Sequence, residues 1–313
     1  MEENKQFFYR ANGTPEDPQA DYIVQATAYD GQVRALAIRS THLCRDAFVI
    51  HGTSPVATAA FGRFLTGSLL LSDNLKGADD TQTTNIKCDG PIQGMTAVCD
   101  AHGSIRGYCN VPDAENPSKN PDRLDVGAAV GNGILTVIRD FGLKEPYIGS
   151  VRLLSGEIAE DFTYYLAESE QTPSVMCLGV LLNAEGVAHA GGFLVQVMPG
   201  AGDTVIDRLE ERAAGGFPDV TFLLSEGMNP EQILDLFFGD PEIQYLGASE
   251  VRYACNCSRG RMERNLIALG RQELRELSED PDGIHLTCHF CSNTYVFSQE
   301  EVKKILSDME KQN

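Results

Sequence analysis

Apolar positions in the first part of the chain recur at every second residue. Residues 22–29 and 32–41 form two such runs, and Asp30-Gly31 between them supplies the positive-φ turn of a tight hairpin, so a β-hairpin is predicted. The period then changes. Ser54 can cap a helix with Pro55 at its first position, and Val56, Ala60, Phe61, Phe64 and Leu65 follow at helical spacing, predicting a buried helix that ends near Leu71. From 83 to 111 the pattern is β again, in segments 85–88, 94–100 and 104–111, with a further strand over 148–154. Residues 157–168 read as an amphipathic helix carrying Ile158, Phe162, Tyr165 and Leu166. The low-charge run 174–201 is cut by Asn183-Ala184-Glu185-Gly186 into halves too short to span a bilayer, which predicts a second hairpin. The glycine-rich run 127–133 lacks the Gly-Lys-Ser/Thr ending of a phosphate loop and leads into a strand pattern, so it reads as a turn.

Beyond residue 200 the pattern becomes helical. Asp203 can cap a helix with Val205, Ile206 and Leu209 on one face. Asn229-Pro230-Glu231-Gln232 joins a cap, a first-turn proline and a capping-box glutamine. Ile233, Leu234, Leu236, Phe237 and Phe238 follow, more apolar surface than one stripe of so short a helix, so it must be buried. Further on, Ser258 can cap a helix through Met262, Leu266 and Leu269. Residues 284–287 and 294–297 form a short hairpin, and Ser298 with Glu301 makes a capping box before a last helix carrying Val302, Ile305, Leu306 and Met309.

These elements predict an α+β protein in four parts: a polar extension over 1–21, a mixed sheet-and-helix core domain over 22–199, a helical linker over 200–250 and a small C-terminal domain over 251–313. No cationic start with an apolar run follows Met1, which predicts a cytoplasmic location. Charge sharpens the division. The net charge is −20, of which −9 falls in residues 201–250 and only −1 in 251–313. Such a balance repels phosphate backbones, so nucleic acid is not the expected partner, and no membrane is expected either. His42, His51, His102 and His189 are scattered, with no nucleophile–histidine–acid arrangement, so no catalytic residue is assigned and no enzyme is predicted.

The chemistry lies in the cysteines. Cys255 and Cys257 are followed, thirty residues on, by Cys288 and Cys291. Two close pairs suit a tetrahedral four-cysteine zinc site, one Zn2+ per chain, while Cys44, Cys88, Cys99, Cys109 and Cys177 lack paired spacing and read as core filling. His285 and His289 are read as surface groups because four thiolates already complete the site. A domain of about sixty residues is marginal without a staple, so loss of the metal should unfold it. The spacing by itself fits a permanent staple, a zinc-ribbon interaction module, a redox switch or a thiol–disulfide oxidoreductase. The last is disfavoured because the Cys-x-x-Cys pair does not open a helix.

The arrangement resembles the redox-regulated chaperone family of heat-shock protein 33, the 33 kDa chaperonins. The likeness extends to Asp30-Gly31, His51-Gly52-Thr53, Gly156-Glu157 with Asp161-Phe162-Thr163-Tyr164-Tyr165, and Gly191-Gly192-Phe193 leading to Met198-Pro199. It implies an ATP-independent holdase, inactive when reduced with zinc on Cys255, Cys257, Cys288 and Cys291. Oxidation would form Cys255–Cys257 and Cys288–Cys291 disulfides, release zinc, unfold the C-terminal domain and favour a homodimer that binds unfolding proteins. Carried to this chain, the candidate client surface is Phe217, Phe222, Leu223, Leu224, Ile233, Leu234, Phe237 and Phe238, covered when reduced and exposed when oxidised.

Overall fold

Strand alternation in the opening segment becomes a sheet buried on both faces, and the rest of the first unit is built on its two sides. The computed structural model describes residues 17, 19–120, 123–239 and 243–311, so most of the extension expected over 1–21 lies outside the described residues. The chain divides into two compact units, the first running to Ala254 and the second starting at Cys255.

The first unit opens with β1 (Tyr22–Ala28), β2 (Val33–Arg39), α1 (Thr41–His51) and α2 (Pro55–Leu71). There follow β3 (Thr81–Cys88), β4 (Met95–Asp100), β5 (Ser104–Cys109), α3 (Val126–Val130), β6 (Gly133–Asp140), β7 (Tyr147–Arg152) and α4 (Ala159–Glu168). It closes with β8 (Ser174–Asn183), β9 (Gly186–Val197), α5 (Asp203–Ala214), α6 (Val220–Ser225), α7 (Pro230–Phe238), β10 (Gln244–Glu250) and β11 (Arg252–Tyr253). Five strands make one sheet in the order β10-β1-β2-β9-β8, and six make another in the order β11-β5-β4-β3-β6-β7.

Period-two alternation decides what each face of the five-stranded sheet meets. Ile23, Leu36, Ile38 and Leu194 face the main core, which also takes the inner residues of the six-stranded sheet and α2. Because α2 contributes to that core all round its circumference, nearly all its side chains are buried; Ser54 caps it by accepting the Ala57 N–H. The alternate residues Tyr22, Val24, Ala35, Phe193 and Val195 point the other way into a second core, closed by α5, α6 and α7. The acidic helices are therefore a layer of the first unit. Their apolar sides cover a sheet face that would otherwise be wet.

The structure differs from the sequence expectation in several places. The expected strand over 32–41 stops at Arg39, and α1 follows it. Residues 127–133, read as a turn, lie largely in α3, which Asp125 caps by accepting the Ala128 N–H at 3.0 Å. Residues 244–250, placed in a helical linker, form β10 and pair with β1 from Tyr22↔Glu250 onward. Residues 251–254 belong with the first unit, because β11 runs parallel to β5 and the Ala254 N–H donates to the Ile105 carbonyl at 2.8 Å. The boundary thus falls four residues later than 250/251, just ahead of the first paired cysteine.

Two of the motifs behind the resemblance are structural. The Asp161 carboxylate accepts the N–H groups of Leu154, Ser155 and Ile158 at 2.7, 3.1 and 3.1 Å, holding Ile158 at a φ of 65°. Gly192 runs so close to β8 that a Cβ there would sit 2.4 Å from the Cys177 carbonyl oxygen.

The second unit comprises α8 (Arg259–Leu269), α9 (Arg271–Leu277), β12 (Ile284–Thr287), β13 (Thr294–Phe297) and α10 (Gln299–Lys311). Both capping predictions hold. Ser258 accepts the Arg261 N–H, while Ser298 and Glu301 accept each other's backbone N–H groups.

Candidate metal centre

Two local structures bring the paired cysteines together. Cys255 and Cys257 lie in the extended segment before α8, where alternation turns both side chains to one side. Cys288 and Cys291 flank the turn between β12 and β13. The Ser292 N–H donates to the Cys288 carbonyl at 2.8 Å, and Ser292 takes a left-handed φ of 58°. The four sulfurs lie within 4.8 Å of one another. Cys255 Sγ is 3.7 Å from Cys288 Sγ, and Cys257 Sγ is 3.3 Å from Cys291 Sγ.

These residues fit a metal ion. Four sulfurs at the usual Zn–S distance form a tetrahedron with edges of about 3.8 Å, close to the spacings seen. Thiolates in a tetrahedral set also favour zinc over harder cations, which prefer oxygen. His285 and His289 are exposed and contribute no atom to the cluster.

Most of the thiols are held protonated by burial, inside the cluster and outside it. Burial pushes the Cys44 and Cys99 thiols up to about 12 and Cys177 to about 11; it raises Cys109 and Cys88 as well. These are inert groups packed as small hydrophobes. Within the cluster, burial raises Cys255 and Cys291. Cys257 goes the other way: burial opposes ionisation, but the Tyr295 hydroxyl at 3.0 Å and the neighbouring thiols outweigh it and lower its pKa. Tyr295 is pushed up to about 12, first by that hydrogen bond. Tyr295 was not singled out from sequence; its position on β13, facing back across the hairpin, is the signal that would have found it.

The cluster also supports its own unit. Eight apolar side chains among the described residues form the core there, Met262, Leu266, Leu274, Ile284, Cys288, Phe297, Val302 and Ile305, with one ligand candidate among them. Arg259, just after the first pair, stacks over the Phe297 ring at 4.3 Å and pairs with Glu301 at 2.6 Å, bracing the start of α8 against β13 and α10.

The candidate client residues lie in the first unit. Ile233, Leu234, Phe237 and Phe238 are fully buried on the five-stranded sheet, Leu223 and Leu224 nearly so, and Phe217 partly. Phe237 packs on Phe193 with ring centroids 4.9 Å apart, and Phe217 stands edge-on to both. Phe222 is the exception. It is 57% exposed, because on the short α6 its neighbours Val220, Leu223 and Leu224 take the inward side, so it is not among the covered residues.

With the site described, its relatives become informative. The family model for Hsp33 protein matches residues 21–298. The chain belongs to the Hsp33 family. It is 47% identical to the 33 kDa chaperonin of Ruminiclostridium cellulolyticum over 288 residues, 92% of this chain and 98% of that protein. It is 45% identical to the 33 kDa chaperonin of Acetivibrio thermocellus, over 93% of this chain and 99% of the relative. The crystal structure of the Thermotoga maritima 33 kDa chaperonin superposes with a TM-score of 0.85 at 33% identity, covering 93% of this chain and 99% of that one. Hsp33 proteins are chaperones rather than enzymes. Among the described residues, no helix is long and apolar enough to cross a membrane.

Proposed function

We propose that this member of the Hsp33 family is a redox-regulated, ATP-independent holdase of the cytoplasm whose clients are unfolding proteins. The observation that carries the reading is the convergence of four sulfurs within 4.8 Å in a unit with so small an apolar core. In the reduced chain Cys255, Cys257, Cys288 and Cys291 hold one Zn2+. The ion would keep the sulfurs as thiolates and tie the segment before α8 to the β12–β13 turn. A structural zinc is worth about 10–16 kcal/mol of apparent binding free energy, as large as the stability of a whole domain. The fold of residues 255–313 therefore depends on those four ligands.

Oxidation removes the ligands. Each local pair of thiolates, Cys255 with Cys257 and Cys288 with Cys291, gives up two electrons to hypochlorous acid, which leaves as chloride and hydroxide, and closes as a disulfide. Neither disulfide joins one pair to the other, so the second unit opens. Chain continuity leads from Cys255 back through β11 and β10 to α7, and the layer α5–α7 then leaves the sheet. Phe217, Leu223, Leu224, Ile233, Leu234, Phe237 and Phe238 become exposed, together with the sheet face beneath, and two such chains form a homodimer that holds clients. The −9 charge of residues 201–250 keeps this open form soluble and nucleic acid away. The test measures zinc release, helix content and suppression of client aggregation before and after hypochlorite. All three are expected to change together, and oxidation without any gain in holding would overturn the proposal.

A further inference from the structure

Residues 201–250 carry eleven carboxylates, and such groups ordinarily stay in water. Glu231 does not. It sits in the first turn of α7 at 9% exposure, on the side that also carries Ile233, Leu234 and Phe237 into the second core. Its Oε2 accepts the Tyr22 hydroxyl of β1 at 2.6 Å. Its backbone carbonyl accepts the Tyr245 hydroxyl of β10 at 2.9 Å. Its other carboxylate oxygen, Oε1, is buried with no hydrogen-bond partner among the described residues.

A carboxylate has about four acceptor sites, and one hydroxyl is a poor replacement for the water it has lost. The charged and titratable groups around it do not restore the balance. Burial raises the Glu231 pKa; the Tyr22 bond and the Arg39 charge on β2 act against this, and Asp235 on α7 adds to it. Tyr245 also contacts Asp235 Oδ1, at 2.7 Å, and is itself raised, so it stays neutral. Arg212 of α5 lies beside Gly239, at the opposite end of α7.

We propose that Glu231 is a positioning residue that makes the seat of α7 on the five-stranded sheet proton-dependent: neutral, it lets the helix dock; ionised, it loosens the helix. This rests on the reading that α5–α7 is a releasable layer. The sign follows from linkage. A group whose pKa is higher docked than free adds stability that is complete below its free value and is lost as pH rises through its docked value. Docking is thus firmest below the free value of a glutamate and weakens as pH rises through the docked one. The hydrogen bond from Tyr22 moderates this, because it favours the ion.

The test uses the reduced, zinc-loaded full chain and reads hydrogen exchange of α7 by mass spectrometry, corrected for intrinsic rates, at about pH 5 and about pH 8. In the native protein, protection of residues 230–238 is expected to fall severalfold across that interval, because the docked carboxyl titrates above its free value. Glu231→Gln keeps the shape and removes the charge; its α7 should stay protected at both ends. Tyr22→Phe should steepen the fall, and Asp235→Asn, which removes a charge that adds to the displacement, should make it slightly shallower. Parallel profiles in the native protein and Glu231→Gln would overturn the proposal, as would a native protein whose protection does not change. Chaperone activity is not read in this experiment, so a failure of oxidation to produce holding would be a separate result.

Discussion

The helical layer α5–α7 and the cysteine unit are both small helical structures, and they are held in opposite ways. The layer rests on an extensive apolar surface, with Phe237, Phe238, Ile233 and Leu234 at no more than 1% exposure against the sheet. The cysteine unit has eight buried apolar side chains among the described residues and four sulfurs at one point. Burial energy is spread over many groups and responds gradually to loss of any one of them. A site made of four thiols is lost as a whole, on oxidation or chelation. The difference fits the proposal that a chemical signal enters through residues 255–313 and acts on a surface within 203–238.

The largest effect is expected from removing the proposed zinc. Chelation from the reduced protein is expected to abolish the helical signal of α8–α10 while the two sheets of the first unit persist, read by circular dichroism and hydrogen exchange. Cys288→Ser should do the same without a chelator, since Cys288 is buried among the core residues of its unit. Cys99→Ala, in the main core, should instead cost only about 1–3 kcal/mol and leave metal content unchanged.

Intermediate effects sharpen the contrast. Phe237→Ser removes a ring packed on Phe193 and Phe217, and should weaken docking of the layer by about 3–5 kcal/mol. Its reduced form should bind a hydrophobic dye that the native reduced form does not, and its oxidised form should hold clients less well. Asp21 gives a pH effect in the first unit. Burial raises its pKa to about 6, against the backbone N–H of Leu43 at 2.7 Å and the nearby His42. Because the folded value is the higher one, its contribution is complete below the unfolded value near 3.8 and is lost as pH rises through about 6. Asp21→Asn should therefore flatten thermal stability across that window, by up to about 3 kcal/mol. The smallest effect belongs to Arg259→Gln, which removes an exposed ion pair with Glu301 and the stack over Phe297 and should lower the thermal midpoint of the second unit only slightly.

The contrast was only partly legible in the sequence. Helices with a capping residue and a first-turn proline, α2 and α7, were read close to their true limits, and the spacing of the cysteines named the four that converge. Elements without local signals were missed. Ser40 does not cap α1; its hydroxyl turns to Thr66 of α2 at 2.7 Å, a long-range contact that no local pattern displays. Most of β10 is exposed along an edge and does not alternate, so only its long-range pairing with β1 makes it a strand. Glu231 was read as one more acid of a charged segment, because a sequence displays a charge but not the place where it is seated. Phe222 was grouped with its apolar neighbours for the same reason: on so short a helix, tertiary packing decides which side faces inward.

On the proposed function, the cysteine unit governs whether the layer α5–α7 stays on its sheet. Hydrogen exchange across the full chain, before and after hypochlorite treatment of the zinc-loaded protein, tests this most directly. Oxidation should remove protection from residues 255–311 and from 203–238 together, while β2, β3 and β9 stay protected. Loss of protection in 255–311 alone, with 203–238 as protected as before, would contradict the account.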